Sequence, residues 1–414
     1  MAKKLQILVL CLSSIFWLVM SAASASNRTF LHLSDIHVDF EYTENGAIDN
    51  HCHKPTAEGS NVSRYGSYHC DPPKILVESA FEAMKKFVKN PDFILWTGDN
   101  SPHVDTLKTK DVMKHLSYVT KKLYQLYPGI PVIPVLGNHD SAPKDFFPYP
   151  DGENYTSDYY NNYLTDGSFG DFLPVGSDAS EEFKKCGYYV KRNKTLYANI
   201  TQTFIVLNTA LYYHNAALPP PYPDDPCGQL DWLEKTLSEC KPKNENVFIM
   251  AHVPPGYFAG KNVSFPMFLD DKYTSKFLDI VTKKENADKV KIAMIVLKLL
   301  LNCIYFFLYN YIFSFAFQIV AHFYGHFHTD SFRLFMDHED QEPRGVAFIA
   351  PSITPLIWGT PGVNPSFRSF TYDPDNRVIK TYEQYYLPLD QLLPGDDEFE
   401  EDQVLIYFTI KRTF

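Results

Sequence analysis

Short apolar runs recur along the chain, and most of them end on Asp, Asn or His. Thr29 to Leu33 reads as a buried strand running into Ser34-Asp35. Phe93 to Trp96 runs into Gly98-Asp99, and Val132 to Leu136 into Gly137-Asn138-His139-Asp140. Thr203 to Leu207 ends at Asn208, Val247 to Met250 at Ala251-His252, and Ile319 to Phe323 at Gly325-His326. Between these runs, apolar residues recur at helical spacing in Ile75 to Phe87 (after Pro72-Pro73), Val112 to Leu126, Leu230 to Leu237 and Tyr273 to Val281. Ser331 to Met336 and Val346 to Ile349 read as further strands, and residues 41 to 71 are turn-rich. Strands alternating with helices predict an α/β fold. Ligand sites in open α/β sheets gather beyond the carboxyl ends of the strands, where these polar residues fall.

The N-terminus adds a compartment. Lys3 and Lys4 precede the apolar stretch Leu5 to Met20, and Ala23-Ser24-Ala25 is a small-residue cleavage site. Residues 1–25 therefore read as a secretory signal peptide. Six Asn-x-Ser/Thr sequons follow, at Asn27, Asn61, Asn154, Asn193, Asn199 and Asn262. Together they predict a glycosylated, secreted or extracellular protein, with the lysosome as a second destination. Cys11 leaves with the leader. Cys52 and Cys70 could close a short loop, Cys227 could pair with Cys240, and Cys186 and Cys303 remain. The 414-residue chain carries a formal net charge of −11. An acidic chain repels nucleic-acid phosphate, so no nucleic-acid binding is expected. Handling phosphate from such a chain calls for local positive charge, which metal ions supply.

Five segments carry the chemistry: Asp35-Ile36-His37, Gly98-Asp99-Asn100, Gly137-Asn138-His139-Asp140, Ala251-His252 and Gly325-His326-Phe327-His328. Carboxylate, amide oxygen and imidazole without thiolate suit zinc, manganese or iron. In an extended strand end, Asp-x-His or His-x-His puts both side chains on one side. Alone, an Asp-x-His is usually a polar surface pair, and a Gly-Asn-His-Asp is often just a turn. Five such segments, each behind a short apolar strand, predict a dinuclear site.

These residues resemble the calcineurin-type metallophosphoesterase superfamily, and more closely its acid-sphingomyelinase-like branch. The resemblance rests on Leu33-Ser34-Asp35-Ile36-His37, Trp96-Thr97-Gly98-Asp99, Leu136-Gly137-Asn138-His139-Asp140, Ala251-His252-Val253-Pro254-Pro255-Gly256 and Phe323-Tyr324-Gly325-His326-Phe327-His328-Thr329-Asp330-Ser331. It runs from Phe30 to Leu387. It implies a four-layer α/β/β/α sandwich carrying two zinc ions. Asp35, His37 and His328 would hold one ion. Asn138, His252 and His326 would hold the other, with Asp99 as the bridge. Two metals roughly 3.5–4 Å apart can clamp a phosphoryl oxygen and hold a hydroxide for in-line attack. His139 resembles the family's acid, and His103 a histidine that contacts the phosphate. Acidic surroundings would help keep both charged. His32 reads as a core residue, His51, His53 and His69 as surface groups near the cleft, His322 as a support behind the ligands, and His214 as a residue lining the pocket.

Two segments depart from that pattern within a catalytic domain spanning 28–388. The uncharged run Leu299 to Val320 is long enough to cross a bilayer. A span there would put His252 and His326 on opposite sides of the membrane, so no stable membrane span is expected. Joining Ala287-Asp288-Lys289 directly to Ile319 gives an ordinary helix-to-strand junction. Residues 290–318 therefore read as an aberrant insertion, with the codon possibilities of a retained in-frame intron. After Leu389 the chain turns acidic (Asp396 to Asp402) and reads as a truncated tail, 389–414. The function implied is hydrolysis of phosphodiester or phosphoanhydride bonds, with nucleotides, phosphocholine esters or other phospholipid headgroups as substrates. Sphingomyelin is the alternative substrate, and a catalytically inactive binding glycoprotein the alternative of another class.

Overall fold

Phe30 shows how the core is built. Its ring stacks on Phe93 and Phe370 of its own sheet, with centroids 4.7 and 5.0 Å away. It meets Phe248 and Phe323 of the facing sheet edge-on, at 6.0 and 5.5 Å. Offset and edge-on contacts of this kind add to the gain from burying large rings. An aromatic layer thus joins two sheets.

The computed structural model describes residues 27–54, 62–150, 158–165, 167–194, 201–213, 223–243, 245–256, 259–260, 263–264, 269–283, 319–357, 362–374, 378–391 and 408–413. The leader 1–25, the insertion 290–318, His214, Cys11, Cys303 and the sequons at Asn61, Asn154, Asn199 and Asn262 lie outside them. The first half of the chain gives β1 (Arg28–Leu33), β2 (Tyr42–Ala47), α1 (Lys74–Phe87), β3 (Ile94–Trp96), α2 (Thr109–Leu126), β4 (Val132–Pro134), α3 (Asp178–Cys186), β5 (Tyr189–Lys194) and β6 (Thr201–Val206). The second half gives α4 (Gln229–Cys240), β7 (Asn246–Met250), β8 (Ala259–Gly260), β9 (Val263–Ser264), α5 (Asp271–Thr282), β10 (Ile319–Tyr324), β11 (Ser331–Met336), β12 (Pro343–Ile349), β13 (Ser366–Asp373), β14 (Val378–Tyr386) and β15 (Phe408–Thr413).

One sheet runs β15-β14-β13-β1-β3-β4 and the other β11-β12-β10-β7-β6-β5. Helix α1 packs on the first sheet at β13 with α2 beside it, and α5 packs on the second at β11 and β12 with α4 beside it, while α3 lies against β5. This is the expected four-layer α/β/β/α sandwich. The strands that carry the candidate ligands are parallel: β1 to β3 and β3 to β4 in one sheet, and β6 to β7 and β7 to β10 in the other.

Three features differ from the sequence reading. Cys227 pairs with Cys186, not with Cys240, while Cys52 and Cys70 are joined as expected. The reason is geometric: Cys227 precedes α4 and Cys240 ends it. At about 1.5 Å per residue the helix holds them roughly 18 Å apart, beyond the ~7 Å Cα limit of a disulfide. Cys240 is a buried free thiol. The tail 389–414 contributes β15, which pairs antiparallel with β14 from Phe408↔Tyr386 to Thr413↔Thr381. No apolar run announces β13, because Arg368 interrupts it. That guanidinium is fully buried, donates to the Ile349 carbonyl at 2.9 Å and pairs with Asp330.

Among the described residues no helix is long and apolar enough to cross a membrane. The last two residues of the uncharged run, Ile319 and Val320, open β10. Asn27 is exposed, and Asn193 lies half-buried on the edge strand β5.

His322 does not support the ligands. Its ring sits against Phe335 and Phe277, with centroids 4.8 and 6.1 Å away, and its Nδ1 has no hydrogen-bond partner. Burial pushes its pKa down to about 3. The unfolded chain takes up that proton near pH 6.5, so the stability contribution is complete above 6.5 and is lost as pH falls from there towards 3. Replacing His322 by Leu is expected to remove about 2 kcal/mol of the stability lost between pH 7 and pH 5. Urea unfolding of both chains at the two pH values checks this; parallel pH dependences would contradict it.

Candidate metal centre

Hydrogen bonding between the strands continues past their carboxyl ends. Asp35 N–H donates to Gly98 O at 2.9 Å, and Ile36 N–H to Asp99 O at 2.8 Å. The second sheet joins in: Gly325 N–H reaches His252 O at 3.0 Å, and Thr354 N–H reaches Asp35 O at 2.9 Å. The loops that carry the polar residues are thereby stitched across both sheets.

These loops turn sharply. Asp35, His37, Asp99, His326 and His328 all have positive φ, at 51°, 46°, 58°, 71° and 58°. Non-glycine residues adopt this region rarely, and it persists where surrounding contacts over-determine it. The two-residue periodicity of an extended strand is therefore not what brings Asp35 and His37 together. Glycine is required at two points. A Cβ on Gly137 would strike the Asp99 carboxylate, and one on Gly325 would strike Ser34 Oγ.

All seven expected ligands converge. In one set, His328 Nε2 and His37 Nε2 lie 3.4 and 4.0 Å from Asp35 Oδ1. In the other, His252 Nε2 lies 3.0 Å from Asp99 Oδ2. Asn138 Oδ1 lies 3.0 Å from His252 Nε2 and 2.9 Å from His326 Nδ1. Asp99 Oδ2 is also 3.5 Å from His37 Nε2, which places this carboxylate between the sets.

Backbone and side-chain partners orient the donor atoms. His37, His252 and His328 each direct Nδ1 at a carbonyl: Ser101 O at 2.7 Å, Thr97 O at 2.6 Å and Leu356 O at 2.6 Å. A carbonyl only accepts, so these Nδ1 atoms carry the proton and each ring turns its Nε2 inward, where a metal ion would find a lone pair once any proton there is displaced. Asn138 Nδ2 donates to Asp145 Oδ1 at 2.7 Å, which turns the amide oxygen towards the histidines. Both oxygens of Asp35 accept the His326 backbone N–H at 3.0 Å.

The electrostatics divide the histidines. Burial, reinforced by His103, holds His37 down to about 4; burial and His252 hold His326 to about 3. Burial opposes the charged form of His252, but Asp99 outweighs it and raises His252 to about 9. Burial also opposes Asp99 ionisation, yet His252 and the surrounding imidazoles hold it well below the carboxylate range. His37 Nε2 is buried without a hydrogen-bond partner. Such an orphaned lone pair inside an oxygen and nitrogen donor set is what a divalent cation satisfies. The residues present fit a metal centre: Asp35, His37 and His328 could hold one ion, and Asp99, His252 and His326 another.

His103 and His139 stand beside this centre. The His103 ring stacks on His37 at 4.2 Å, and the His139 ring lies 4.4 Å from His103 and 5.0 Å from His37. His139 N–H donates to Asp99 Oδ1 at 2.8 Å. Burial, with His103 next, pushes His139 well below the usual imidazole range. His32 is buried, as expected, and bonds Thr97 Oγ1 at 3.1 Å. His51 and His69 are exposed, and His53 bonds Asp39 at 2.7 Å.

Three acidic residues serve the site without a signal that sequence could give. Asp140 lies in a recognised segment, but its role shows only in space: it accepts the backbone N–H groups of Asp99, Asn100 and Gly137, each at 2.9 Å. Burial, with Asp99 next, raises its pKa to about 6. Asp145 and Asp71 find their histidine and amide partners only through loop geometry.

The calcineurin-like phosphoesterase family matches residues 28–330. Sphingomyelinase phosphodiesterase C of Dictyostelium discoideum is 30% identical, covering 90% of this chain and 76% of its own length. Acid sphingomyelinase-like phosphodiesterase 3b of Homo sapiens is 30% identical, covering 91% and 75%. A cyclic GMP-AMP phosphodiesterase of Homo sapiens is 30% identical, covering 91% and 74%.

Replacing Asp145 by Ala frees the Asn138 amide to rotate and is expected to weaken metal binding about 10–100-fold. Competition with a chelator of known affinity reads this; unchanged affinity would show that the bond does not orient Asn138.

Proposed function

The chain belongs to the calcineurin-like phosphoesterase family, in its acid-sphingomyelinase-like branch, and from that premise we propose a secreted dinuclear-zinc enzyme acting on nucleotides or phosphocholine esters. It is a hydrolase of phosphoric diester bonds, as its relatives are. The observation that carries the dinuclear reading is the place of Asp99, with Oδ2 3.0 Å from His252 Nε2 and 3.5 Å from His37 Nε2. A carboxylate so placed can serve two ions at once. When bound, the pair of ions supplies Lewis acidity to the phosphoryl group and makes a water-derived nucleophile available at mild pH.

The chain's own residues do the rest. The loops of Asp35, Asp99 and Asn138 from one sheet, and of His252, His326 and His328 from the other, hold the reacting phosphorus at the seam. In this reading His139 gives a proton to the leaving oxygen once the negative charge of a bound phosphoryl group offsets the burial that favours its neutral ring, and His103 contacts a phosphoryl oxygen. Both are mostly buried, which limits bulk water around the reacting group. The leader at 1–25 and the six sequons support secretion with glycosylation. Sphingomyelin, giving ceramide and phosphocholine, is the second substrate reading, supported by the sphingomyelinase names among the relatives. An inactive binding glycoprotein has less support, because every ligand position is filled.

The insertion 290–318 is the variable to control. A chain lacking it is expected to hydrolyse an aryl phosphodiester at mildly acidic pH, to lose activity with a chelator and to regain it with zinc. Asp99→Ala is expected to lower kcat at least about 100-fold. The full-length chain, assayed beside it, tells whether the insertion inactivates. If neither chain hydrolyses the diester although both are folded and zinc-loaded, the binding-glycoprotein reading replaces the enzyme.

A further inference from the structure

Asp71 belongs to neither ligand set, yet it is almost completely buried beside them. It sits one residue after Cys70, where the Cys52–Cys70 bond closes the preceding loop. Its carboxylate makes three kinds of bond. Oδ2 accepts the His103 backbone N–H at 2.6 Å. Both oxygens lie 3.0 Å from His103 Nδ1. Oδ1 accepts the Thr354 hydroxyl at 2.8 Å. Thr354 in turn donates its backbone N–H to Asp35 O. The carboxylate is thus fixed from two directions, by the disulfide-closed loop and by the segment that also holds Asp35.

We propose that Asp71 is a positioning residue that keeps a proton on Nδ1 of His103, so that Nε2 is the atom that takes up and gives the second proton and, while it holds one, donates to the phosphoryl group. This rests on the phosphodiesterase reading above. A carboxylate only accepts, so the ring nitrogen facing it must carry hydrogen. The ring is held a second time by its stack on His37 at 4.2 Å. Nε2 is left as the only ring atom that can exchange a proton or a hydrogen bond with substrate. A carboxylate orienting an imidazole by its Nδ1–H is the logic of an Asp-His pair in a hydrolytic triad, reached here beside a metal centre.

The alternative is that Asp71 only anchors its loop. Asp71→Asn separates the two. An amide oxygen can still accept the His103 backbone N–H, so the loop keeps its anchor. The amide NH2 then faces Nδ1 as a donor and favours the opposite tautomer. In the chain lacking 290–318, Asp71→Asn is expected to lower kcat for the aryl diester about 100-fold or more, with zinc content, Tm and KM little changed. Placed on His103→Gln, the same substitution is expected to cost less than about twofold, because coupled residues are not additive. Nitrogen NMR of the ring is expected to move the protonated site of His103 from Nδ1 to Nε2. An equal kcat loss with and without His103, or an unmoved ring signal, would overturn the proposal. Failure of the phosphodiesterase reading would show as an inactive unsubstituted chain, and the ring signal would still decide the role of Asp71.

Discussion

Lone pairs that point at one another in a buried space are the constraint on which this structure depends. Two carboxylates, an amide oxygen and four imidazoles converge where the two sheets meet, most with their protonated nitrogens turned outward to carbonyls. With no cation, the sequence must leave a buried acceptor such as His37 Nε2 unsatisfied and pair Asp99 with a raised His252. Such an arrangement is costly unless positive charge arrives to settle it. The surrounding architecture serves to hold this collection in place before that charge is bound.

The scaffold does so through redundancy. Parallel strands deliver each donor to the same edge. Left-handed turns at five donor residues aim them inward, and glycines at 137 and 325 let backbone come close enough to carboxylate and hydroxyl. Asp140 gathers three backbone N–H groups from two loops into one carboxylate, and Arg368 ties the segment after His328 through Asp330 to the sheet interior. A second ring of acids (Asp71, Asp140, Asp145) fixes rotamer, backbone and tautomer. Rigid support of this kind keeps donor distances within the narrow tolerance that a metal centre requires.

Much of this was legible in the chain. The apolar runs at Thr29, Phe93, Val132, Val247 and Ile319 mark the strands because a parallel sheet covered on both faces needs continuous apolar sequence. The donors are visible because each stands at the end of such a run. What stayed hidden shares one cause: partners set by tertiary geometry. Strand β13 does not read as a strand because its buried Arg368 is satisfied from Asp330 and Ile349, far away in sequence. Cys186 is chosen over Cys240 by the length of α4, and Asp71 finds His103 across a disulfide-closed loop. His322 was open to reading as a support for the ligands, but strand alternation turns it into an aromatic pocket.

The proposed binding of two divalent ions at the seam, with Asp99 between them, is what the other roles depend on. Its most direct test is elemental analysis of the purified chain lacking 290–318, with and without Asp99→Asn, backed by anomalous diffraction at the zinc edge. Two ions per chain, both lost together in the Asp99 variant, are expected. A single ion, or two ions indifferent to Asp99, would contradict that proposal.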